Sequence, residues 1–334
     1  MSRIAILGGG GWGTALAILL SRARESHQIS IWVHDPALAG AMREKCENGK
    51  YLPGQAIPAG VSAFSDLREA LRGAEIIVGA MPAAHAREIY VAAIPYLRNS
   101  ATIVSATKGL EPATHARMSE VIAQAMAQRV TATISVLSGP SFAMEAARGE
   151  PTAVVLACAD DATAQTLQAC FAGPTLRLYT NRDVLGVELA GAMKNVIAIA
   201  AGVCQGLGLG ANTLAALITR GLAEMMRLAV ALGAQPSTLS GLAGLGDLVL
   251  TCTGTLSRNR HVGIELGKGR ALKEILGEMK MVAEGVGTAA ALLALARERN
   301  IDLPITEQVN AILYQGTAPM AAMREIMERP QKSE

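Results

Sequence analysis

The chain has 334 residues, 51% of them hydrophobic, with 30 basic and 28 acidic side chains and a formal net charge of +2. That length suits two domains of ordinary size, and the scattered, nearly balanced charge excludes the basic stripe of a nucleic-acid-binding surface. Five cysteines and five histidines are dispersed without metal-ligand or disulfide spacing, so no metal site is expected and a reducing cytoplasm is the expected compartment.

Residues 3–7 read as an apolar strand and 12–24 as a helix. Between them stands Gly8-Gly9-Gly10-Gly11-Trp12-Gly13, in which Gly8, Gly10 and Gly13 match G-x-G-x-x-G. The pattern is weak alone, and stronger where a strand precedes it and a helix follows. There Gly8 permits the tight turn, Gly10 lets the backbone approach a pyrophosphate, and Gly13 lets the helix pack on the sheet. The helix start adds N–H groups and a positive dipole end. A second strand, 29–33, is followed by His34, Asp35 and Pro36. Asp35 suits a ribose 2′-hydroxyl and so NAD, or it simply starts a helix with Pro36; His34 suits a 2′-phosphate. The balance leans towards NADPH over NADH.

Further apolar strands read at 75–80, 101–105 and 133–137, with helical stretches such as 83–92 and 115–127 between them; 151–157 and 175–179 read as edge or late strands. Beyond residue 183 the strand signals fade, and helical patterns run through 184–203, 213–232, 257–266, 271–276, 288–299 and 306–313. The expected fold is α/β: an N-terminal Rossmann-type, doubly wound parallel sheet (1–182), followed by an all-α C-terminal domain (183–330). Residues 330–334 read as a frayed polar tail.

Two segments mimic membrane signals. The apolar run from Arg3 to Leu20 is broken by glycines that a signal helix would not contain. The uncharged run 196–218 is long enough to span a bilayer, but it is rich in Ala and Gly and holds Gln205, Asn212 and Thr213. It reads as a buried helix, a turn around 206–210, and a second helix, so no integral membrane segment is expected.

Lys194 lies in a stretch, 187–198, that otherwise reads as an apolar helix, with Ala190, Gly191, Ile197 and Ala198 one turn away. An ammonium facing such a surface is dehydrated unless compensated, which suits acid/base chemistry; alternatively it snorkels to solvent. Lys108 follows the strand 101–105, at the sheet end where ligands bind in open parallel sheets. Ser138-Gly139-Pro140-Ser141 follows the next strand, with Pro140 fitting the first position of a helix. Asp247 stands in a Gly-flanked turn, where it either orients an ammonium such as Lys194 or bonds its own backbone. Ser257 caps a helix whose first turn holds Arg258 and Asn259, a site suited to phosphate.

The runs 8–16, 106–110, 138–143, 191–197, 217–225, 241–253 and 257–260, with 282–285 and 303–307, closely resemble the bacterial-type NAD(P)-dependent glycerol-3-phosphate dehydrogenases, in order and over nearly the whole chain. The resemblance implies reversible reduction of dihydroxyacetone phosphate to sn-glycerol 3-phosphate, feeding phospholipid synthesis. It implies that Lys194 is the proton donor and acceptor, that Lys108 touches substrate and cofactor, and that Gly139, Ser141, Asp247, Ser257, Arg258 and Asn259 contact substrate. Gly11, Trp12, His34, Ala143, Arg258, Val282 and Glu284 match cofactor-contacting positions. Gly11 replaces the usual serine and Met81-Pro82-Ala83 the usual Val-Pro-Ser, so two hydroxyl contacts are missing; Ser141 stands where serine and threonine both occur.

On this reading Asp247 holds Lys194, Arg258 and Asn259 bind the substrate phosphate, and the helical domain closes over the cofactor cleft. The rivals are a related dehydrogenase of a β-hydroxy acid or ketopantoate-like substrate, and a dinucleotide sensor without turnover. A homodimer is plausible for an Ala-rich helical domain.

Overall fold

The structure, a computed structural model, describes residues 1–126 and 132–331. The last residue of the helix expected at 115–127 and the end of the expected polar tail, 332–334, lie outside the described residues. The chain divides into two compact units, Met1–Glu111 with Ala116–Glu188, and Pro112–His115 with Leu189–Glu334. The division falls inside the helix Val184–Gly206, shortly after the boundary expected at 182/183.

The first unit is built on eight strands: β1 (Arg3–Leu7), β2 (Gln28–Trp32), β3 (Val61–Phe64), β4 (Ile76–Gly79), β5 (Thr102–Ser105), β6 (Thr133–Ser138), β7 (Thr152–Cys158) and β8 (Leu176–Asn181). Their order is β3-β2-β1-β4-β5-β6-β7-β8. Strands β1 to β6 pair in parallel, as the alternating pattern implied. The last pair departs from the expected parallel sheet: β7 runs antiparallel to β6, and β8 parallel to β7. The reversal lies in the connection after β6. The six-residue helix Ala143–Arg148 ends on Gly149 in the left-handed region (φ +88°), and the chain returns at once instead of crossing over.

Successive side chains of the central strands serve opposite faces. Ile4, Ile6, Ile76 and Val78 join Leu16, Leu20 and Phe171 in one apolar layer. Ala5, Leu7 and Ile77 join Tyr90, Val121 and Ile122 in the other. This two-period alternation, buried on both sides, is why these strands read as continuous apolar runs. β3 escaped the sequence reading because it is four residues long with one buried side chain, and only its pairing with β2 defines it.

The second unit is helical. Its first long helix, Val184–Gly206, begins in the first unit and is apolar enough to cross a membrane, yet 83% of its most apolar window is buried within the protein. It ends at Gly206, three residues beyond the expected pattern, and after the expected short turn a second helix, Ala211–Ala231, follows. Helices Arg258–Gly267, Glu284–Glu298, Pro304–Tyr314 and Pro319–Met327 complete the larger elements.

Glycine determines how two of these helices pack. A β-carbon on Gly202 would overlap the carbonyl oxygen of Arg260, and one on Gly263 would overlap that of Ile199. Gly206 and Gly267 repeat the contact one turn on, against Ile264 and Val203 carbonyls. The Val184–Gly206 and Arg258–Gly267 helices therefore meet backbone to backbone. This sets where Arg258 and Asn259 stand relative to Lys194.

A buried carboxylate makes a second tie. Glu224, 2% exposed, accepts from the N–H groups of Ile305 and Thr306 and from Thr306 Oγ1, capping the Pro304–Tyr314 helix. Burial pushes its pKa up to about 7, against the opposing effect of these bonds and of Arg227.

Candidate active site

In the first unit, β1 delivers the chain to the glycine run and the helix Gly11–Ser21 leaves from it. Gly8 has φ +127°, and a β-carbon there would meet Ala80 O at 2.7 Å. One on Gly13 would overlap Gly8 O, so the helix start rests directly on the turn. Gly10 differs: a β-carbon there would meet nothing within 4 Å. Gly10 is also the helix N-cap without a side-chain cap, and the first turn holds no acidic residue. The helix start therefore presents uncapped N–H groups to open space, the cradle a pyrophosphate needs. Trp12 Nε1 is buried without a hydrogen-bond partner among the described residues, one more donor awaiting an acceptor. These features fit a bound dinucleotide.

At the end of β2, His34 is exposed and stands edge-on to Trp32, ring centroids 5.9 Å apart. Of the two readings of Asp35, the structure realises the helix cap. Its Oδ1 accepts from Ala37 N (3.0 Å) and Leu38 N (3.3 Å), with Pro36 opening the helix Pro36–Lys45. Lys50 Nζ lies 3.8 Å from the other carboxylate oxygen.

Lys108 stands beyond the end of β5, half-buried, and donates to Gly139 O (2.8 Å) and Ser141 Oγ (3.3 Å). Ser141 Oγ donates in turn to Gly139 O (2.9 Å). The lysine, Gly139 and Ser141 are thus brought together at the carboxyl ends of β5 and β6. Pro140 does not open a helix, as had been expected; the helix begins at Ala143.

A cleft of about 470 Å³ opens at the other end of the sheet, among the first residues of β1 and β2, with Arg3, Gln28, Ser62 and Arg72 in its lining. It lies away from the glycine turn and from Lys108, at the strand ends where open α/β sheets do not place ligands.

In the second unit, Lys194 is buried within its helix and does not snorkel. Its Nζ lies 2.6 Å from Asp247 Oδ1 and 2.7 Å from Thr251 Oγ1, with the two charged side chains 7% and 1% exposed. Thr251 Oγ1 donates to Asp247 O (2.6 Å), leaving its lone pair to receive the lysine proton. Asp247 is not in a turn. It opens the helix Asp247–Thr253, entered from the π-helical segment Leu242–Gly246. Thr251 is therefore one helical turn from Asp247, on the same face. Read as a turn, the segment gives Thr251 no role; read as a helix, its i, i+4 spacing from Asp247 is the signal.

Ser257 caps the Arg258–Gly267 helix, accepting from Arg260 N at 3.2 Å. Arg258 keeps accessible surface at the helix start. The atoms crowding its guanidinium still dehydrate it enough to lower its pKa, an effect that Glu284 opposes. Asn259 is buried, and its side chain serves the protein: Nδ2 donates to Asn195 Oδ1 (2.9 Å), and Oδ1 accepts from Gly285 N (2.9 Å). Asn195, next to Lys194, was a second residue not singled out from sequence. Val282 is half-exposed and Glu284 opens the helix Glu284–Glu298. Among the described residues, no group of three His, Cys, Asp or Glu side chains is arranged to hold a metal ion.

The chain matches known proteins along nearly all its length. Residues 3–164 match the family described as NAD-dependent glycerol-3-phosphate dehydrogenase N-terminus, and residues 183–324 its C-terminus. It is 51% identical over 335 residues to a glycerol-3-phosphate dehydrogenase [NAD(P)+] of Koribacter versatilis, covering 100% of this chain and 99% of that one. It is 52% identical over 339 residues to the enzyme of the same name from Acidobacterium capsulatum, covering all of both. Among solved structures, glycerol-3-phosphate dehydrogenase from Coxiella burnetii superposes with a TM-score of 0.93 at 40% identity, over 98% of this chain and 99% of that one. A ketopantoate reductase from Ralstonia eutropha shares the fold, at 17% identity and a TM-score of 0.60.

Proposed function

The chain belongs to the NAD-dependent glycerol-3-phosphate dehydrogenase family and is an NAD(P)-dependent oxidoreductase; from that premise we propose how its own residues interconvert dihydroxyacetone phosphate and sn-glycerol 3-phosphate. When bound, the dinucleotide supplies hydride to the ketone carbon or takes it from the alcohol. Lys194 protonates the oxygen as the alkoxide develops, and in the oxidative direction takes the proton back. Asp247 and Thr251 orient its ammonium through two short bonds and keep it charged in a dry setting. Lys108, steadied by Gly139 and Ser141, adds positive charge at the same oxygen.

Arg258 and the N–H groups at the start of its helix receive the phosphate. Binding energy from that non-reacting group then orients the ketone. The Asn259 amide also ties Asn195 to Gly285 and so joins the lysine helix to the phosphate end.

The single observation that carries this reading is the buried Lys194–Asp247–Thr251 cluster, its lysine on a mostly apolar helix. A dinucleotide sensor has no use for such a proton donor. The preference for NADPH is supported by Asp35, whose carboxylate is committed to a helix cap, and by the neighbouring Lys50 and exposed His34, which suit a 2′-phosphate. Five free cysteines support a cytoplasmic setting, in which the product serves phospholipid synthesis. A homodimer completes the proposal.

The test is steady-state oxidation of NADPH and of NADH with dihydroxyacetone phosphate, unphosphorylated dihydroxyacetone and 2-keto acids, on the wild type and Lys194→Ala. The phosphorylated ketone should dominate, and Lys194→Ala should abolish turnover with nucleotide binding kept. Preference for a keto acid, or near-normal turnover by a pure Lys194→Ala protein, would overturn the assignment.

A further inference from the structure

The loop that carries Lys108 is anchored on both sides of the lysine. On the strand side, Ala106 N donates to Gly79 O (2.7 Å) and Thr107 Oγ1 to Met81 O (2.8 Å). On the far side the chain turns through Gly109 at φ +153°, a conformation that excludes ordinary side chains. It then enters a short antiparallel bridge between Leu110 and Arg117, with Glu111 N donating to Ala116 O at 2.9 Å.

A third anchor is ionic. The Glu111 carboxylate, 8% exposed, receives two parallel bonds from Arg87: Nε to Oε1 at 2.8 Å and Nη2 to Oε2 at 2.7 Å. Arg87 Nη2 also donates to Gln124 Oε1 at 2.8 Å. Arg87 stands on the helix Ala86–Ala93 and Gln124 on the helix Met118–Met126, so the carboxylate is gripped by the layer that covers the sheet. A nearly buried carboxylate is a poor source of net stability, because dehydration offsets the attraction. A planar, two-bond grip instead fixes direction. This grip acts three residues from Lys108, on the far side of the hinge-like Gly109.

We propose that Glu111, gripped by Arg87, is a positioning residue for the reaction: it holds the Lys108 loop so that the ammonium meets Gly139 O and Ser141 Oγ. The inference rests on the reading that Lys108 contributes charge at the substrate oxygen.

The experiment is a double-mutant cycle on the full chain, with dihydroxyacetone phosphate and NADPH. Arg87→Gln breaks the grip from its partly exposed side, and Glu111→Gln breaks it with no change of volume; either suffices if the other fails to fold. In the presence of Lys108 each should lower kcat/KM about tenfold, as expected for a displaced charged group, and in the Lys108→Ala background by less than about twofold. A role in general folding would lower both backgrounds equally. Equal losses in the two backgrounds, or no loss in the first, would overturn the positioning role alone. Wild-type turnover by Lys108→Ala would overturn it together with the assigned role of Lys108.

Discussion

Asp247→Ala leaves the Lys194 ammonium, 7% exposed, facing Thr251 Oγ1 without its carboxylate. At the observed 2.6 Å separation, the gross attraction is about 6 kcal/mol at an effective dielectric constant of about 20. Dehydration of both charges offsets part of that in the intact pair, and removing one partner of such a pair costs roughly 3–5 kcal/mol. Urea unfolding at pH 7 should show a loss of that size. The deficit should shrink as the pH is raised towards about 10, because a dehydrated ammonium that has lost the Asp247 charge sheds its proton more readily than one held beside it. Ketone reduction by the same protein should fall by about a hundredfold or more, since the proton donor is no longer aimed. A stability change under about 1 kcal/mol, or a deficit indifferent to pH, would refute the reasoning: it would mean the ammonium reaches water without Asp247.

Gly263→Ala should destabilise the helical unit by about 1–3 kcal/mol or more, because its β-carbon would overlap Ile199 O and the two helices must separate. Gly40→Ala, in a helix where a β-carbon meets nothing within 4 Å, should raise stability by up to about 1 kcal/mol. Thermal unfolding of both variants checks the pair, and similar effects from the two would discredit the interlock. Glu224 supplies a pH dependence. Its pKa rises from 4.5 to about 7 on folding, so the folded state holds this proton more tightly than the unfolded chain does. The contribution is present in full below the unfolded value and disappears as the pH climbs through about 7. Glu224→Gln, which does not titrate, should therefore gain on the wild type by roughly 3 kcal/mol between pH 4 and 8. Denaturant midpoints at the two pH values would show it, and a constant difference would count against a buried, proton-holding Glu224.

Much of this protein could be read locally. A glycine run between an apolar strand and a helix has few physical outcomes, and its geometry followed: Gly13 against Gly8, Gly10 open. Strand–helix alternation implied parallel pairing for β1, β2, β4, β5 and β6, because a helix between two strands returns the chain to the same end of the sheet. An ammonium in the middle of a mostly apolar helix marked Lys194, since a dehydrated ammonium needs a reason wherever it stands. The reversal at β7 was not legible, because it depends on a six-residue helix ending at Gly149 and not on any strand pattern. Asp247 reads as a turn residue in the sequence because its glycine neighbours are turn formers. In the structure one of them, Gly244, is required because a β-carbon would overlap Leu239 O.

By itself the sequence determined periodicity, turn chemistry and the oddity of single residues, all properties of a few consecutive side chains. Tertiary structure decided which groups meet, including the Lys194–Asp247 pair that the sequence offered only as one of two readings of Asp247. Lys194 finds Asp247 across 53 residues and Glu224 finds the Pro304–Tyr314 helix across 81. Arg87 finds Glu111 across 24. Such pairs leave no local trace, because a buried charge's partner is chosen by packing and by the cost of leaving it unpaired, not by its distance along the chain.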